Sequence, residues 1–225
     1  MSGCCAGSYV EIFDEKQARK DARRYRRKGL SSDARFGVDF LRERELKGLT
    51  VLEIGGGVGA AQVELLRAGA SAAVNVELSP AYEREARALV RESGLPEDSV
   101  ERRIGDFVEV ADSFEPADAV LLNRVVCCYP DCDALVGAAA ARARRYLVLT
   151  YPPEHRVSRF LIAAENWWFE KRGCEFRSYL HPHALIHEAV EANGLRLASQ
   201  RRGTIWHSAV FERLLQGGAG AAPRT

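Results

Sequence analysis

"VLEIGGGVGA", residues 51–60, reads as a strand that runs directly into a turn of four glycines. Val51, Leu52 and Ile54 form the apolar run, Gly55, Gly56, Gly57 and Gly59 the turn, and Ala60, Ala61, Val63, Leu65 and Leu66 resume behind it as a helix. Glycine reaches φ > 0 cheaply and lets a ligand approach the backbone with no Cβ in the way. A helix that starts at such a turn aims its free N–H groups and positive dipole end into the crevice. The stretch is a nucleotide-cradling candidate, and through Gly55, Gly57 and Ala60 it also fits the dinucleotide fingerprint G-x-G-x-x-A. On these residues alone a nicotinamide or flavin site and a purely structural turn stay open.

Outward from Thr50, short β-branched runs alternate with longer helical patterns, the signature of βαβ units and a mostly parallel sheet. The pattern predicts strands over 50–54, 72–77, 99–104, 117–123 and 144–150, with helices at about 58–68, 80–93, 107–113 and 131–142. "VSRFLIAAENWWFEKRG" then predicts a helix with an aromatic end, and "HPHALIHEAVEANG" one that follows Pro182 and stops at Gly194. "LRLASQRRG" and "TIWHSAVFERL" read as a closing strand pair that turns at Gly203.

Residues 11–47, ahead of the first strand, look helical, with a stop at Gly29 and a second helix from about Asp33 to Lys47 that turns Phe36, Phe40 and Leu41 inward. Within the first of these helices "KQARKDARRYRRK" carries Lys16, Arg19, Lys20, Arg23, Arg24, Arg26, Arg27 and Lys28 against the single acid Asp21, and Ile12, Phe13, Ala18, Ala22 and Tyr25 can form the helix's apolar stripe. Its arginines read either as a solvated face or as a lid over an anionic substrate. Three segments result: an N-terminal helical extension over 1–48, an α/β domain over 49–215, and a tail over 216–225 with the composition of a frayed linker.

The bulk composition narrows the field. With 225 residues, 47% apolar and 28% charged, the chain can bury a continuous core. Its 32 basic and 31 acidic residues leave a net charge of +1, so no global field favours nucleic acid or a membrane, and neither is expected as a partner. The N-terminus lacks a leader pattern, and six cysteines without a paired spacing are expected to be reduced, in a cytoplasmic protein without a metal.

The acids around the turn separate the readings. Glu77 ends the second strand about 20 residues past the glycines, where a carboxylate can accept both hydroxyls of a ribose. Both dinucleotide enzymes and nucleoside-binding transferases want that acid. Glu53, two residues before Gly55, sits inside a strand expected to be buried and needs a partner, which a cationic ligand supplies. After the third strand Asp106 can accept from an exocyclic adenine amine while Phe107 offers an apolar surface to the ring. A dinucleotide site has no general need for Glu53 or for the Asp106–Phe107 pair.

With these residues together, the chain from about Thr50 to Leu214 resembles the class I S-adenosylmethionine-dependent methyltransferases. The resemblance implies a Rossmann-like α/β fold with a seven-stranded, mostly parallel sheet and an antiparallel last strand. It implies S-adenosyl-L-methionine as cofactor, held by Glu53, Gly55, Gly57 and Gly59 at its methionine part, by Glu77 at the ribose, and by Asp106 and Phe107 at adenine, with Leu78 a further cofactor-binding residue. Asn123, ending the fourth strand, is placed to contact cofactor or acceptor. The segments around Tyr129–Pro130, Leu180–His181 and the terminal "RRG" are similar to magnesium-protoporphyrin IX O-methyltransferase and its relatives, with Cys128 standing where that family is expected to carry a histidine.

Methyl transfer is an in-line displacement, so positioning supplies much of the catalysis. An ionised carboxylate acceptor needs no base, whereas a phenol, hydroxyl or amine benefits from one. The expected acceptor is a small molecule, with a carboxylate-bearing one as the leading case for O-methylation; the sequence leaves the atom and the oligomeric state open. Tyr129 and His181 are the catalytic candidates, and Tyr25, Arg24, Arg124 and Cys128 the substrate-side ones. His155, His183, His187 and His207 read as surface or structural. The rivals are an NAD(P)-dependent oxidoreductase and a noncatalytic cofactor-binding regulator.

Overall fold

The computed structural model describes residues 6–214; the expected tail over 216–225, with Cys4 and Cys5, lies outside them. Three helices open the described chain: α1 (Ala6–Ile12), α2 (Glu15–Lys28) and α3 (Ser32–Arg42). Then β1 (Thr50–Ile54), α4 (Ala60–Arg67), β2 (Ala72–Glu77), α5 (Glu83–Glu92), β3 (Val100–Ile104), α6 (Phe107–Val110), β4 (Ala117–Asn123), α7 (Cys132–Arg142) and β5 (Ala143–Tyr151) alternate. Helices α8 (Arg156–Lys171) and α9 (His183–Glu191) precede the closing strands β6 (Leu195–Arg202) and β7 (His207–Arg213).

The seven strands form one sheet in the order β3-β2-β1-β4-β5-β7-β6. Strands β1 to β5 pair in parallel, and β7 runs antiparallel between β5 and β6. This is the expected Rossmann-like arrangement with its antiparallel last strand. The strand order reverses between β1 and β4, and an open α/β sheet gathers its ligands in the crevice at that switch point, beyond the strands' carboxyl ends.

Alternation along each strand divides the core. Leu52, Ile54, Val120 and Leu122 join Leu135, Val136 and Ala139 of α7 on one face. Val51, Ala119, Leu121 and Val148 join Val38 and Leu41 of α3 and Val63 and Leu65 of α4 on the other. Glu53 takes the second face, which carries its carboxyl under the glycine turn rather than into the α7 layer. The closing hairpin turns where Gly203 N–H donates to the Trp206 carbonyl at 3.1 Å, and a Cβ at Gly203 would stand 2.5 Å from that oxygen.

The N-terminal region departs from the sequence expectation in two places. The first expected helix is split: Asp14 is extended and its side chain caps Gln17 N–H at 2.8 Å, starting α2 afresh and leaving α1 as a separate seven-residue helix. The second stops at Arg42 rather than Lys47. There the chain must reach β1, and Gly48 N–H pairs with the Gly69 carbonyl while Ser71 N–H pairs with that of Leu49, which draws the backbone off the helix and buries Leu46 and Leu49.

Candidate functional site

The glycine turn is built as its sequence demands. Gly55, Gly57 and Gly59 lie at φ of +61°, +56° and +74°, a region side chains rarely adopt. At Gly56 a Cβ would run into Asn75 and the Glu53 side chain, so even that glycine is fixed by close packing. Gly57 N–H donates to Glu77 Oε2 at 2.9 Å and Ser79 N–H to Oε1 at 3.0 Å, so the end of β2 and the turn after β1 hold one another.

Two cavities meet over this framework. The larger, about 280 Å³, is lined by Glu53, Gly55, Gly56, Gly57, Glu77, Asn123 and Arg124 from the sheet, and by Tyr9, Gln17, Asp21, Arg24 and Tyr25 from the N-terminal helices. The smaller, a cleft of about 30 Å³, is bounded by Leu78, Asp106, Phe107 and Tyr129. Tyr9, Gly55, Glu77 and Val125 belong to both. The expected cofactor residues therefore fall along one continuous track, with Gly59 at its back as the N-cap of α4.

The polar chemistry of that track is unfinished. Burial pushes the Glu53 carboxyl up to about 8, although the Gln62 backbone and the Arg102 guanidinium pull the other way. Glu53 Oε2 has no hydrogen-bond partner, nor does Asn123 Oδ1 across the crevice. Buried acceptors of this kind ordinarily find a donor. Burial also raises Glu77, opposed by the N–H groups of Ser79 and Gly57. Behind the turn, Arg102 reaches Glu83 at 2.6 Å and the Gly57 carbonyl at 3.1 Å, fixing the loop from below.

The groups expected on the reacting side are spread apart. Tyr129 donates to Asp106 Oδ2 at 3.0 Å and so belongs to the small cleft rather than to the larger cavity. His181 lines neither cavity; it stacks on Tyr179, and its Nε2 lies 2.9 Å from the Tyr129 carbonyl oxygen, a positioning contact. Cys128 lines neither as well, and its thiol is pushed well up by the Cys127 contact and burial, which keeps it protonated. Arg124 does line the larger cavity, at φ +62°, but its fork is taken by Asp33 at 2.7 and 2.8 Å, and the guanidinium lies 4.9 Å over Trp206. Burial opposes the charge on Asp33, yet these bonds hold its carboxyl below the usual range. Among the described residues no group of three or more His, Cys, Asp or Glu is placed to hold a metal ion.

Sequence reading missed Tyr9, Gln17, Tyr82 and Asp33. The one signal it contained was Asp21, the lone acid in a basic run: Asp21 accepts from Tyr82 at 3.1 Å and from Gln17 at 3.0 Å at the cavity wall. The extension is fastened over the site by further contacts. Ser79 Oγ donates to the Phe13 carbonyl at 2.6 Å, Tyr25 to Glu64 at 2.8 Å, and Arg26 bridges Glu92 and Glu85.

A family model described as a methyltransferase domain matches residues 22–200. No curated protein matches the chain. Among solved structures, magnesium protoporphyrin IX methyltransferase from Synechocystis PCC 6803 with bound S-adenosylhomocysteine superposes with a TM-score of 0.66 at 21% identity, over 80% of this chain and 82% of that one. The same enzyme with S-adenosylmethionine gives 0.64 at 18% identity, over 92% and 90%. An O-methyltransferase family protein from Burkholderia thailandensis gives 0.63 at 21%, over 80% of this chain and 56% of that one. At these identities the likeness is one of fold.

Proposed function

The chain belongs to the methyltransferase domain family, and from that premise we propose that it transfers the methyl group of S-adenosylmethionine to an oxygen of a small, carboxylate-bearing acceptor. The family assignment removes the oxidoreductase rival. The observation that carries the cofactor is the pair of buried, unpartnered acceptors, Glu53 Oε2 and Asn123 Oδ1, on either side of a turn that only glycine can make. A ligand with a cationic amine answers the first, and the bare turn gives its backbone-facing part room. Glu77 takes the ribose hydroxyls, and Asp106 with Phe107 and Leu78 takes adenine, with Tyr129 giving up its bond to Asp106 as the ring enters.

The cofactor supplies an electrophilic methyl on a sulfonium; the protein supplies position. Among the described residues the larger cavity is lined by no histidine, cysteine or lysine; its carboxyls are Glu53 and Glu77, taken by the cofactor in this reading, and Asp21, bonded to Tyr82 and Gln17, and burial raises the phenols of Tyr9, Tyr25 and Tyr82 beyond use as bases at neutral pH. An acceptor that arrives ionised suits such a wall, since a carboxylate oxygen needs no proton removed. Among the described residues that line the cavity, Arg24, exposed at its mouth, is the cation left to meet it, because Arg124 is matched by Asp33. The fold neighbours that carry an O-methyltransferase name support the same class.

Glu77→Ala is expected to weaken S-adenosylmethionine binding by about 1.5–3 kcal/mol, the range for hydrogen bonds to a charged group. Titration calorimetry on the folded variant measures it, and wild-type affinity would remove the ribose assignment.

Glu53 gives a second test through pH. In the free protein its carboxyl, raised from 4.5 to about 8, holds a proton at neutral pH. An acid raised on folding destabilises the free fold progressively as pH climbs from the ordinary carboxylate range towards 8. A cationic ligand favours the ionised form, so binding releases that proton. Affinity should therefore rise from about pH 6 to about pH 8, by at most about tenfold per unit, and level off beyond. Glu53→Gln should flatten the slope; a variant that keeps it assigns the proton elsewhere.

A further inference from the structure

Helix α8 is packed the wrong way round for the surface of a globular domain. Towards the body it turns Ser158, Asn166 and Phe169, and Asn166 is held by Ser178 through two 2.8 Å hydrogen bonds. Outward it turns Val157, Phe160, Leu161, Trp167 and Trp168, which are 46–71% exposed. A surface helix ordinarily does the reverse. A second element extends the patch: Ile205, 68% exposed at the tip of the β6–β7 hairpin, is held beside the start of α8, where His155 Nε2 lies 3.3 Å from the Thr204 carbonyl. A contiguous apolar surface of this kind marks an interaction face.

The charges around the patch say what it meets. Arg156 and Arg159 stand at one end of α8 with Arg201 and Arg202 on the adjoining hairpin, and Lys171 and Arg172 stand at the other. Arg172 lies 3.6 Å over the Trp168 ring and Lys171 5.9 Å from that of Trp167. The nearby acids Glu154, Glu165, Glu170 and Glu175 are exposed; Glu154 lies 3.9 Å from Arg159 and accepts from the His183 N–H, and Glu165 accepts from Ser178, so Arg156, Lys171, Arg172, Arg201 and Arg202 carry the positive charge around the patch. Tryptophan beside Lys and Arg at the margin of a Phe/Leu/Val stripe is the composition of a helix that lies in a bilayer interface. No described helix is long and apolar enough to cross a membrane.

We propose that this face docks on the surface of an anionic phospholipid bilayer, with the α8 stripe and Ile205 among the headgroups and the flanking arginines and lysine on their phosphates. Such docking departs from the expectation of no membrane partner, drawn from net charge: an attraction of this kind is local and does not show in the total. Helix α8 backs onto the site from its buried side, where Phe169 packs with Tyr9, a wall of both cavities, and Trp206 beside Ile205 lies under Arg124.

Flotation of the full chain with vesicles tests this. The protein should float with phosphatidylcholine mixed with phosphatidylglycerol, remain behind with phosphatidylcholine alone, shift its tryptophan emission to the blue when bound, and be released by salt. Phe160→Glu with Leu161→Glu should reduce partitioning at least about tenfold, since both side chains would otherwise be buried in the interface. Both are exposed, so the double variant should melt as wild type does; Arg156→Gln with Arg159→Gln is a second variant that leaves the stripe intact and should weaken binding to the anionic vesicles. Wild-type protein that floats with neither vesicle overturns the proposal, as does a Phe160/Leu161 variant that floats like wild type. A wild-type dimer in light scattering that this variant breaks, without flotation, gives the face to a second copy of the chain instead.

Discussion

Gly57→Val should leave a folded protein that S-adenosylmethionine no longer stabilises. Gly57 sits at φ +56°, so any side chain there is strained, and a Cβ would stand 3.1 Å from the Tyr82 ring. A β-branched residue in a sparsely populated backbone region costs about 1–3 kcal/mol, which a chain of this size tolerates. Binding suffers far more, because the valine methyls would occupy the side of the turn that faces the larger cavity, and the Gly57 N–H that orients Glu77 would shift with it. At a ligand concentration about a hundred times its Kd, wild type gains about 2.7 kcal/mol, or roughly 5–10 °C in Tm. The variant should gain none. A variant still stabilised as wild type is would make the turn a structural device and send the cofactor elsewhere.

That prediction stands on the part of the protein most legible in its sequence. β1, β2 and β4 run over 50–54, 72–77 and 117–123 as their patterns predict, with Gly55 ending the first and Pro116 preceding the third. The glycine turn is legible for a related reason: three positive φ values within five residues leave almost no other residue type to use. Glu53, Glu77 and Asp106 follow from register, since residues at the carboxyl ends of adjacent parallel strands arrive at one edge of the sheet.

What the sequence hides is pairing at a distance. Arg124 reads as a cation free to meet a substrate, and only the fold brings Asp33 to it across 91 positions. Tyr129 and His181 lie close to the fourth strand in sequence or space and carry the right chemistry for a base, yet one is turned to Asp106 and the other to a backbone oxygen. The facing of α8 is hidden for the same reason: its aromatic end is plain in the sequence, but which side of the helix meets the body depends on Ser178 and Phe176, neither of which the local pattern encodes.

Deletion of residues 1–29 should remove methyl transfer, and it should also weaken cofactor binding. The second effect reverses what sequence alone suggests, namely that the α/β domain carries the cofactor positions by itself. Tyr9 lines both cavities, and the Phe13 carbonyl accepts from Ser79, 66 positions away and two residues after Glu77. Without α1 and α2, Glu77 and the cleft beside it would open to water, and hydrogen bonds from ribose to that carboxylate would compete with solvent. Removal also uncovers Val58, Tyr82 and Leu89, which pack on the fully buried Ala18 and Ala22, so the truncated chain loses stability as well. Point variants separate these effects. Arg24→Gln leaves that packing intact, since its side chain is exposed, and takes the free cation from the mouth of the cavity. For a carboxylate acceptor it should raise KM by about tenfold at unchanged cofactor affinity, the worth of one charge-assisted hydrogen bond. Tyr9→Ala should do the converse, lowering cofactor affinity while the acceptor mouth stays in place. Steady-state kinetics and calorimetry on the two variants distinguish a lid that reads the acceptor from a cover that only seals the cofactor: wild-type KM in Arg24→Gln, with a loss of affinity in Tyr9→Ala, leaves the basic helix as a solvated face over a working seal.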